Sequence, residues 1–165
     1  MRVQFCIIDR LLTGMCDFAL CATQIGVNPR RLRLLDGSGM CAKNWISPRA
    51  SIELLQGKRD DEEFDQFLPV AAQDEEVVTS TGQRRLKGGT VARRFHGTVA
   101  AGELRAKTGT LNGTAALSGY YRDIVFSIMV NNVVHAKPAE TVAAIDRVAV
   151  ALCAAADTAR ATSRL

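Results

Sequence analysis

The C-terminal half of the chain contains three successive runs of strand length that are rich in apolar residues. These runs are ELRAKTGTL (103–111), TAALSGYYR (114–122) and DIVFSIMVNN (123–132). Runs of this length and composition are typical of strands. Asn112–Gly113 separates the first two runs, and this dipeptide favours a two-residue hairpin turn. The pattern therefore predicts an antiparallel meander of three strands.

The apolar spacing changes to the helical period beyond the third run. Pro138 opens this segment, and Glu140 lies in its first turn, where an acidic side chain interacts favourably with the helix dipole. The apolar positions that follow share one helical face: Val142, Ile145, Val148, Ala149 and Leu152. We expect a C-terminal helix that packs on the sheet.

The N-terminal half carries several shorter signals. Residues 3–25 favour one or two helices, and LRLL (32–35) favours a short strand before a tight turn at Asp36–Gly39. Ser47 can cap a helix that begins at Pro48, since proline suits the first helical position. Helices are therefore expected on both sides of the meander in the sequence.

One long polar range interrupts these elements. The range 57–89 is rich in charged and turn-forming residues, which favours a surface loop region. The chain has 165 residues, of which 47% are hydrophobic, enough for one domain with a real core. The expected fold class is α/β, an α+β sandwich in which an antiparallel sheet is flanked by helices.

The net charge of +4 suits an anionic partner without selecting nucleic acid. Basic residues cluster at Arg30, Arg31 and Arg33 and again at Arg93–Arg94, which raises the alternative of a nucleic-acid-binding module. No aromatic residues are interleaved with these clusters and no nucleic-acid-binding motif accompanies them. We therefore predict no nucleic-acid partner.

Metal, cofactor and membrane functions find no support in the pattern. The five cysteines are Cys6, Cys16, Cys21, Cys41 and Cys153. They form no CxxC pair, and His96 and His135 lie far apart in the sequence, so neither a metal site nor a cofactor is predicted. No apolar run is long enough for a membrane span. MRVQFCIIDRLL (1–12) makes a poor signal peptide because its apolar stretch is short.

The run RAKTGTLNG (105–113) has an unusual composition for a strand. Large β-branched or aromatic residues are favoured there, yet the run offers Lys107, Thr108, Gly109 and Thr110. Glycine allows another backbone to approach closely, and a peptide can join such an edge as an added strand. The ammonium and the hydroxyls can bind a carboxylate. The run is therefore a candidate peptide-binding strand.

Three segments together resemble one protein family. GELRAKTGTLNGTAALSGYY (102–121) is similar to the Lys-Thr-Gly region of D-alanyl-D-alanine carboxypeptidases, the low-molecular-mass class C penicillin-binding proteins. LLDGSGMCAKNWISPRASIELL (34–55) and GGTVARRFHGTVAAGELRAKTGT (88–110) resemble the segments that precede that region. The likeness runs from about Gly26 to about Ala154, and residues 57–85 fit it poorly.

The resemblance implies a fold and an activity. It implies part of a β-lactamase/transpeptidase-like fold and a serine-type carboxypeptidase or endopeptidase of peptidoglycan metabolism, at a periplasmic, extracellular or cell-wall location. The partner would be a stem peptide or a β-lactam. Lys107 and Thr108 would hold the terminal carboxylate, and Gly109 would belong to the same substrate strand. The Thr110 N–H would supply half of an oxyanion hole.

Two departures from the family pattern affect catalysis. No serine or threonine has a lysine three residues later, so the nucleophile motif is absent. Cys41 replaces the serine of the middle motif, whereas Asn44 remains; with Lys107 these are the catalytic candidates. We therefore expect 1–165 to be a single incomplete domain, the C-terminal part of a longer catalytic domain. The alternative is a non-catalytic remnant that at most binds peptide. The oligomeric state stays open.

Overall fold

The structure is a computed structural model that describes residues 22–36, 39, 41–133 and 137–163. The strands in chain order are β1 (Leu32–Arg33), β2 (Trp45–Ile46), β3 (Glu76–Val78), β4 (Arg84–Leu86), β5 (Leu104–Leu111), β6 (Thr114–Tyr121) and β7 (Ile124–Asn131). The helices are α1 (Pro48–Gly57), α2 (Glu62–Gln66) and α3 (Pro138–Thr162).

The predicted meander is confirmed as an antiparallel sheet in the order β5-β6-β7. Leu111 pairs with Thr114, so only Asn112 and Gly113 form the first turn. Gly113 has a φ of +70°, the left-handed conformation that a tight hairpin turn requires. This short turn fixes the register between β5 and β6, and the turn at Arg122 and Asp123 fixes the register between β6 and β7.

Helix α3 covers one face of the sheet, as predicted, but Val148, which was expected on the packed face, is exposed. The buried stripe of this helix runs through residues four apart, which leaves Val148 beside it. The buried residues Ile145, Ala149 and Cys153 belong to one core with Leu117 and Tyr121 of β6. Leu104 and Ala106 of β5 and Phe126 of β7 complete the apolar contact on this face. We call this the α3 face.

The opposite face of the sheet is covered by α1 and the strand that precedes it. Leu54 and Leu55 of α1 and Ile46 of β2 share a core with Ala116 and Tyr120 of β6. We call this the α1 face. Helices on both sides of an antiparallel sheet give the expected α+β sandwich, and the fold class is confirmed.

The start of α1 follows its predicted signals. The Ser47 Oγ accepts a hydrogen bond from the Ala50 N–H at 3.1 Å, and Pro48 occupies the first helical position. This cap sets the point at which the chain turns from β2 into the helix.

The range 57–89 contains more regular structure than the loop region its composition predicts. It holds α2 and an antiparallel pair formed by β3 and β4. The Asp61 Oδ1 caps α2 by accepting from the Phe64 N–H at 2.9 Å. Phe64 and Leu68 are buried in the α1-face core, so apolar anchors hold a segment whose surface is polar.

Some expectations fall outside the described residues. The helices expected within 3–25 lie almost wholly in residues 1–21, and Gly37, Ser38 and His135 are also outside. Within the described ranges, no helix is both long and apolar enough to cross a membrane.

Candidate functional site

Strand β5 has an outer edge that is paired along its first half only. The Ala71 N–H donates to the Leu104 carbonyl at 2.9 Å, and the Ala106 N–H donates to the Pro69 carbonyl at 3.0 Å. Beyond Ala106, no strand among the described residues pairs with this edge. Backbone groups of alternate residues point to the same edge. Those of Thr108 and Thr110 therefore face the open part.

Lys107 brings a positive charge to this open edge. Its side chain starts on the α1 face, and its Nζ donates to the Thr108 carbonyl at 2.8 Å. Because that carbonyl points outward, the ammonium lies at the edge rather than beneath the sheet. The side chain is half-buried, which leaves part of it in contact with solvent.

A row of hydroxyls crosses the sheet beside Lys107. Lys107 is paired in register with Ser118 of β6, and Ser118 is paired with Ser127 of β7. The two serine Oγ atoms are 2.8 Å apart, and Ser118 is fully buried. Composition alone did not single out these serines, although the registers counted from the Asn112–Gly113 and Arg122–Asp123 turns place them beside Lys107.

Thr108 projects from the other face of β5. Its Oγ1 donates to the Thr90 Oγ1 at 2.9 Å, which links β5 to the 3-10 turn Gly89–Val91. Thr90 was also missed, since nothing local in GGTVARRF marks it as a neighbour of β5.

Gly109 and Thr110 continue the strand toward the hairpin tip. Gly109 is buried and pairs with Ala116, whereas Thr110 is exposed. Thr110 lines a cavity of about 380 Å³ between the hairpin tip and the start of α3. The open edge therefore leads into a space beside the tip.

Asn44 lies in a separate loop, and its side chain forms hydrogen bonds within that loop. Its Oδ1 accepts from the Leu35 N–H at 2.8 Å. Its Nδ2 donates to the Asp36 carbonyl at 3.0 Å and to the Asp36 Oδ1 at 3.1 Å. The residue is buried. Its amide therefore holds the chain at Leu35 and Asp36.

Cys41 is half-buried with a free thiol. Its carbonyl accepts from the Asn44 N–H at 3.0 Å, so residues 41–44 form a turn. β2 follows this turn, and its Ile46 packs in the α1-face core. The structure therefore gathers Lys107, Thr108, Gly109 and Thr110 on one strand, with Cys41 and Asn44 in a loop on the α1 side of the sheet.

The described part of the chain contains no group of three or more histidine, cysteine, aspartate or glutamate residues that could hold a metal ion. The groups that β5 itself offers are an ammonium, hydroxyls and outward backbone groups. These groups suit an extended peptide that ends in a carboxylate.

Comparison with known proteins points to one family. Residues 18–152 match the D-Ala-D-Ala carboxypeptidase 3 (S13) family. A D-alanyl-D-alanine carboxypeptidase of Actinomadura sp. (strain R39) is 37% identical over 136 residues, covering 78% of this chain and 23% of that protein. A penicillin-sensitive carboxypeptidase A of Dictyostelium discoideum is 28% identical over 127 residues, covering 68% of this chain and 21% of that protein. The chain thus spans less than a quarter of either relative, and it belongs to the D-Ala-D-Ala carboxypeptidase 3 (S13) family.

Proposed function

We propose that this chain supplies the carboxylate-binding part of a serine-type D-Ala-D-Ala carboxypeptidase site, which acts on peptidoglycan stem peptides. The observation that carries the proposal is the open outer edge of β5, where the Lys107 Nζ lies against the Thr108 carbonyl. Family membership supports this substrate class. We also propose a location on the cell-wall side of the membrane, because that substrate is found there.

The open edge supports a specific mode of substrate binding. An extended peptide can add to β5 through the outward backbone groups of Thr108 and Thr110. The Lys107 ammonium then interacts with the terminal carboxylate, a charge-assisted contact stronger than a neutral hydrogen bond. The Thr110 N–H points to the same edge. It can therefore stabilise a negative oxygen that develops on the scissile carbonyl.

Acyl transfer also needs a nucleophile, and the chain contains no Ser-x-x-Lys motif. Loss of the nucleophile in a serine hydrolase costs on the order of a millionfold in turnover. We therefore expect this chain to bind peptide without turning it over. Cys41 is not a substitute in this account, since no histidine lies near it in the sequence to activate the thiol.

The missing motif favours a second candidate, a remnant with no part in catalysis. Both candidates predict binding without turnover by the chain alone. They differ when an S13-family fragment that carries Ser-x-x-Lys is supplied separately. A part of a catalytic site would restore release of D-alanine from a D-Ala-D-Ala peptide, whereas a remnant would leave the rate unchanged.

A fluorescent penicillin tests the absence of a nucleophile directly. We expect no label that survives denaturing electrophoresis on the wild-type chain or on Cys41→Ala. A covalent label on the wild-type chain would show a nucleophile that this account lacks. Loss of that label in Cys41→Ala would identify Cys41 as the group acylated.

A further inference from the structure

The short ribbon formed by β1 and β2 has an outward side that packs against neither core. Ile46 is buried and Leu32 packs against the α1-face core, so these two side chains point inward. Arg33 is paired in register with Trp45. Successive side chains of a strand point to opposite sides. Arg33 and Trp45 therefore lie next to each other on the outward side, and both are exposed.

Leu35 and Lys43 extend this outward side. The Leu35 N–H donates to the Asn44 Oδ1 at 2.8 Å, which holds Leu35 beside the residues that lead into β2, and its side chain is 52% exposed. Lys43 is exposed and lines a cavity of about 390 Å³ together with Arg33 and Trp45. The four exposed side chains form what we call the ribbon patch: Arg33, Leu35, Lys43 and Trp45.

The two cations of the ribbon patch are not neutralised by neighbouring acidic groups. Neither Arg33 nor Lys43 forms an ion pair with a residue that the structure describes, whereas Arg31 nearby pairs with Glu53. Asp36 is the acidic residue adjacent to the patch, and its Oδ1 accepts from a side-chain amide of the same loop at 3.1 Å. The patch therefore combines net positive charge with one aromatic and one aliphatic side chain.

This combination suits the surface of an anionic bilayer. Tryptophan is enriched at membrane–water interfaces, where its ring lies at the level of the headgroups. Lysine and arginine are attracted to anionic headgroups, and their long stems can lie along apolar surface while the charge stays in water. A soluble anion would use the two cations and leave Leu35 in water. Contact with a bilayer surface requires no spanning helix.

We propose that the ribbon patch binds the surface of an anionic bilayer, with Trp45 and Leu35 at the headgroup level and the two cations against lipid phosphates. The contact is weak and reversible, because two apolar side chains bury little area and each cation adds a modest attraction. It uses no residue assigned to peptide binding at β5. It therefore stands independently of the proposed function.

Trp45 is the single tryptophan of the chain, so intrinsic fluorescence reports on the ribbon patch directly. The full chain is titrated with vesicles of phosphatidylcholine alone and with vesicles of equal parts phosphatidylcholine and phosphatidylglycerol. We expect a blue shift of the emission with the anionic vesicles only, and its loss at high salt, because salt screens the attraction. Glycerol phosphate, which offers a phosphate without a bilayer, should produce no blue shift.

Charge substitutions test the role of the two cations. Arg33→Gln combined with Lys43→Gln should weaken co-sedimentation with the anionic vesicles about 30-fold, since each cation near such a surface contributes about fivefold. The matched control removes two exposed cations on other parts of the chain, Arg85→Gln combined with Arg93→Gln. This control has the same net charge and should weaken co-sedimentation much less.

An apolar substitution tests the contact with the headgroup layer. Leu35→Ala should weaken co-sedimentation, whereas Val148→Ala, at an exposed position of α3, should not. A thermal melt verifies that each variant is folded.

Three results would overturn the proposal. The first is the absence of a blue shift with anionic vesicles. The second is equal weakening by the two pairs of charge substitutions. The third is a blue shift produced equally by glycerol phosphate, which would assign the patch to a soluble anion.

Discussion

Asn44 shows how a motif residue can act through the backbone it holds. Its side chain satisfies the Leu35 N–H and two oxygen atoms of Asp36. Buried polar groups that lose their partners pay a desolvation penalty. The amide therefore stabilises the loop that carries Cys41, in addition to any contact with substrate that the family resemblance implies.

Asn44→Ala is expected to lower the free energy of unfolding by about 1–3 kcal/mol, because the Leu35 N–H and Asp36 lose a buried partner. Urea unfolding measures the change. Gln56→Ala on the exposed side of α1 is the control and should cost little. Equal stability of the two variants would show that the Asn44 bonds do not hold the loop.

At the level of single residues, the sequence singles out candidates by residue type but not by their neighbours in space. Lys107, Thr108, Gly109 and Thr110 were proposed because their residue types conflict with an ordinary strand. The Thr108–Thr90 contact joins residues 18 positions apart and depends on how the 69–73 segment and the 3-10 turn fold back on β5. No local pattern encodes such a contact.

At the level of elements, β6 lies very close to the backbone of β5 at Gly119. A Cβ there would lie 1.9 Å from the Arg105 carbonyl oxygen, closer than atoms can approach without moving a strand. The pairing that holds β5 in register therefore depends on a glycine in β6.

Gly119→Ala is expected to cost about 3 kcal/mol of unfolding free energy or more, at the upper end of overpacking effects. Gly82→Ala is the control, because a Cβ there meets nothing within 4 Å and only the left-handed backbone is strained. That strain costs about 1–2 kcal/mol. A smaller loss for Gly119→Ala than for Gly82→Ala in urea unfolding would refute the close β5–β6 approach.

The contact between β6 and α3 predicts that the stability of the folded chain falls at alkaline pH. Burial raises the pKa of Tyr121 from 10.0 to about 12, and the Tyr121 hydroxyl donates to the Asp157 Oδ2 at 2.9 Å. The unfolded chain releases this proton nearer pH 10. The stability contributed by the neutral phenol is therefore complete below pH 10 and is lost as the pH rises toward about 12.

Tyr121→Phe removes this titration. Its unfolding free energy should fall less steeply than that of the wild type between about pH 10 and 12, even if its stability at neutral pH is lower. Urea unfolding at several pH values measures both slopes. Parallel slopes would show that Tyr121 has no raised pKa in the folded chain.

At the scale of the whole molecule, the chain matches only part of two relatives and exposes apolar surface. It covers 23% and 21% of two relatives. Large apolar side chains are exposed at Val78, Val148 and Leu35. No strand among the described residues pairs with the outer edge of β7. Unpaired strand edges and exposed apolar side chains favour association.

We therefore expect concentration-dependent self-association, measured by sedimentation velocity over a hundredfold range of protein concentration. A monomer at every concentration, with one sharp and cooperative thermal transition, would contradict this expectation.

At this scale, the sequence predicted the elements whose local patterns are strong and missed an element whose local pattern is weak. The meander followed from three runs of strand length and the Asn112–Gly113 turn, and α3 followed from the helical spacing of its apolar residues. Within 57–89 the buried Phe64 and Leu68 are surrounded by charged residues, so composition predicted a loop where α2 forms. Which face of the sheet α1 covers depends on tertiary packing, and no local pattern determines it.

The central claim is that the Lys107 ammonium at the open edge of β5 recognises the carboxylate of a peptide. Calorimetric titration of Lys107→Met tests this claim most directly. The two ligands are an N-acylated peptide that ends in D-Ala-D-Ala, called the acid, and the same peptide with a C-terminal amide, called the amide. Lys87→Met is the control, since Lys87 is exposed and lies 3.9 Å from Glu75. We predict that Lys107→Met binds the acid about 10- to 100-fold more weakly, with unchanged affinity for the amide. Unchanged affinity of folded Lys107→Met for the acid would contradict the account.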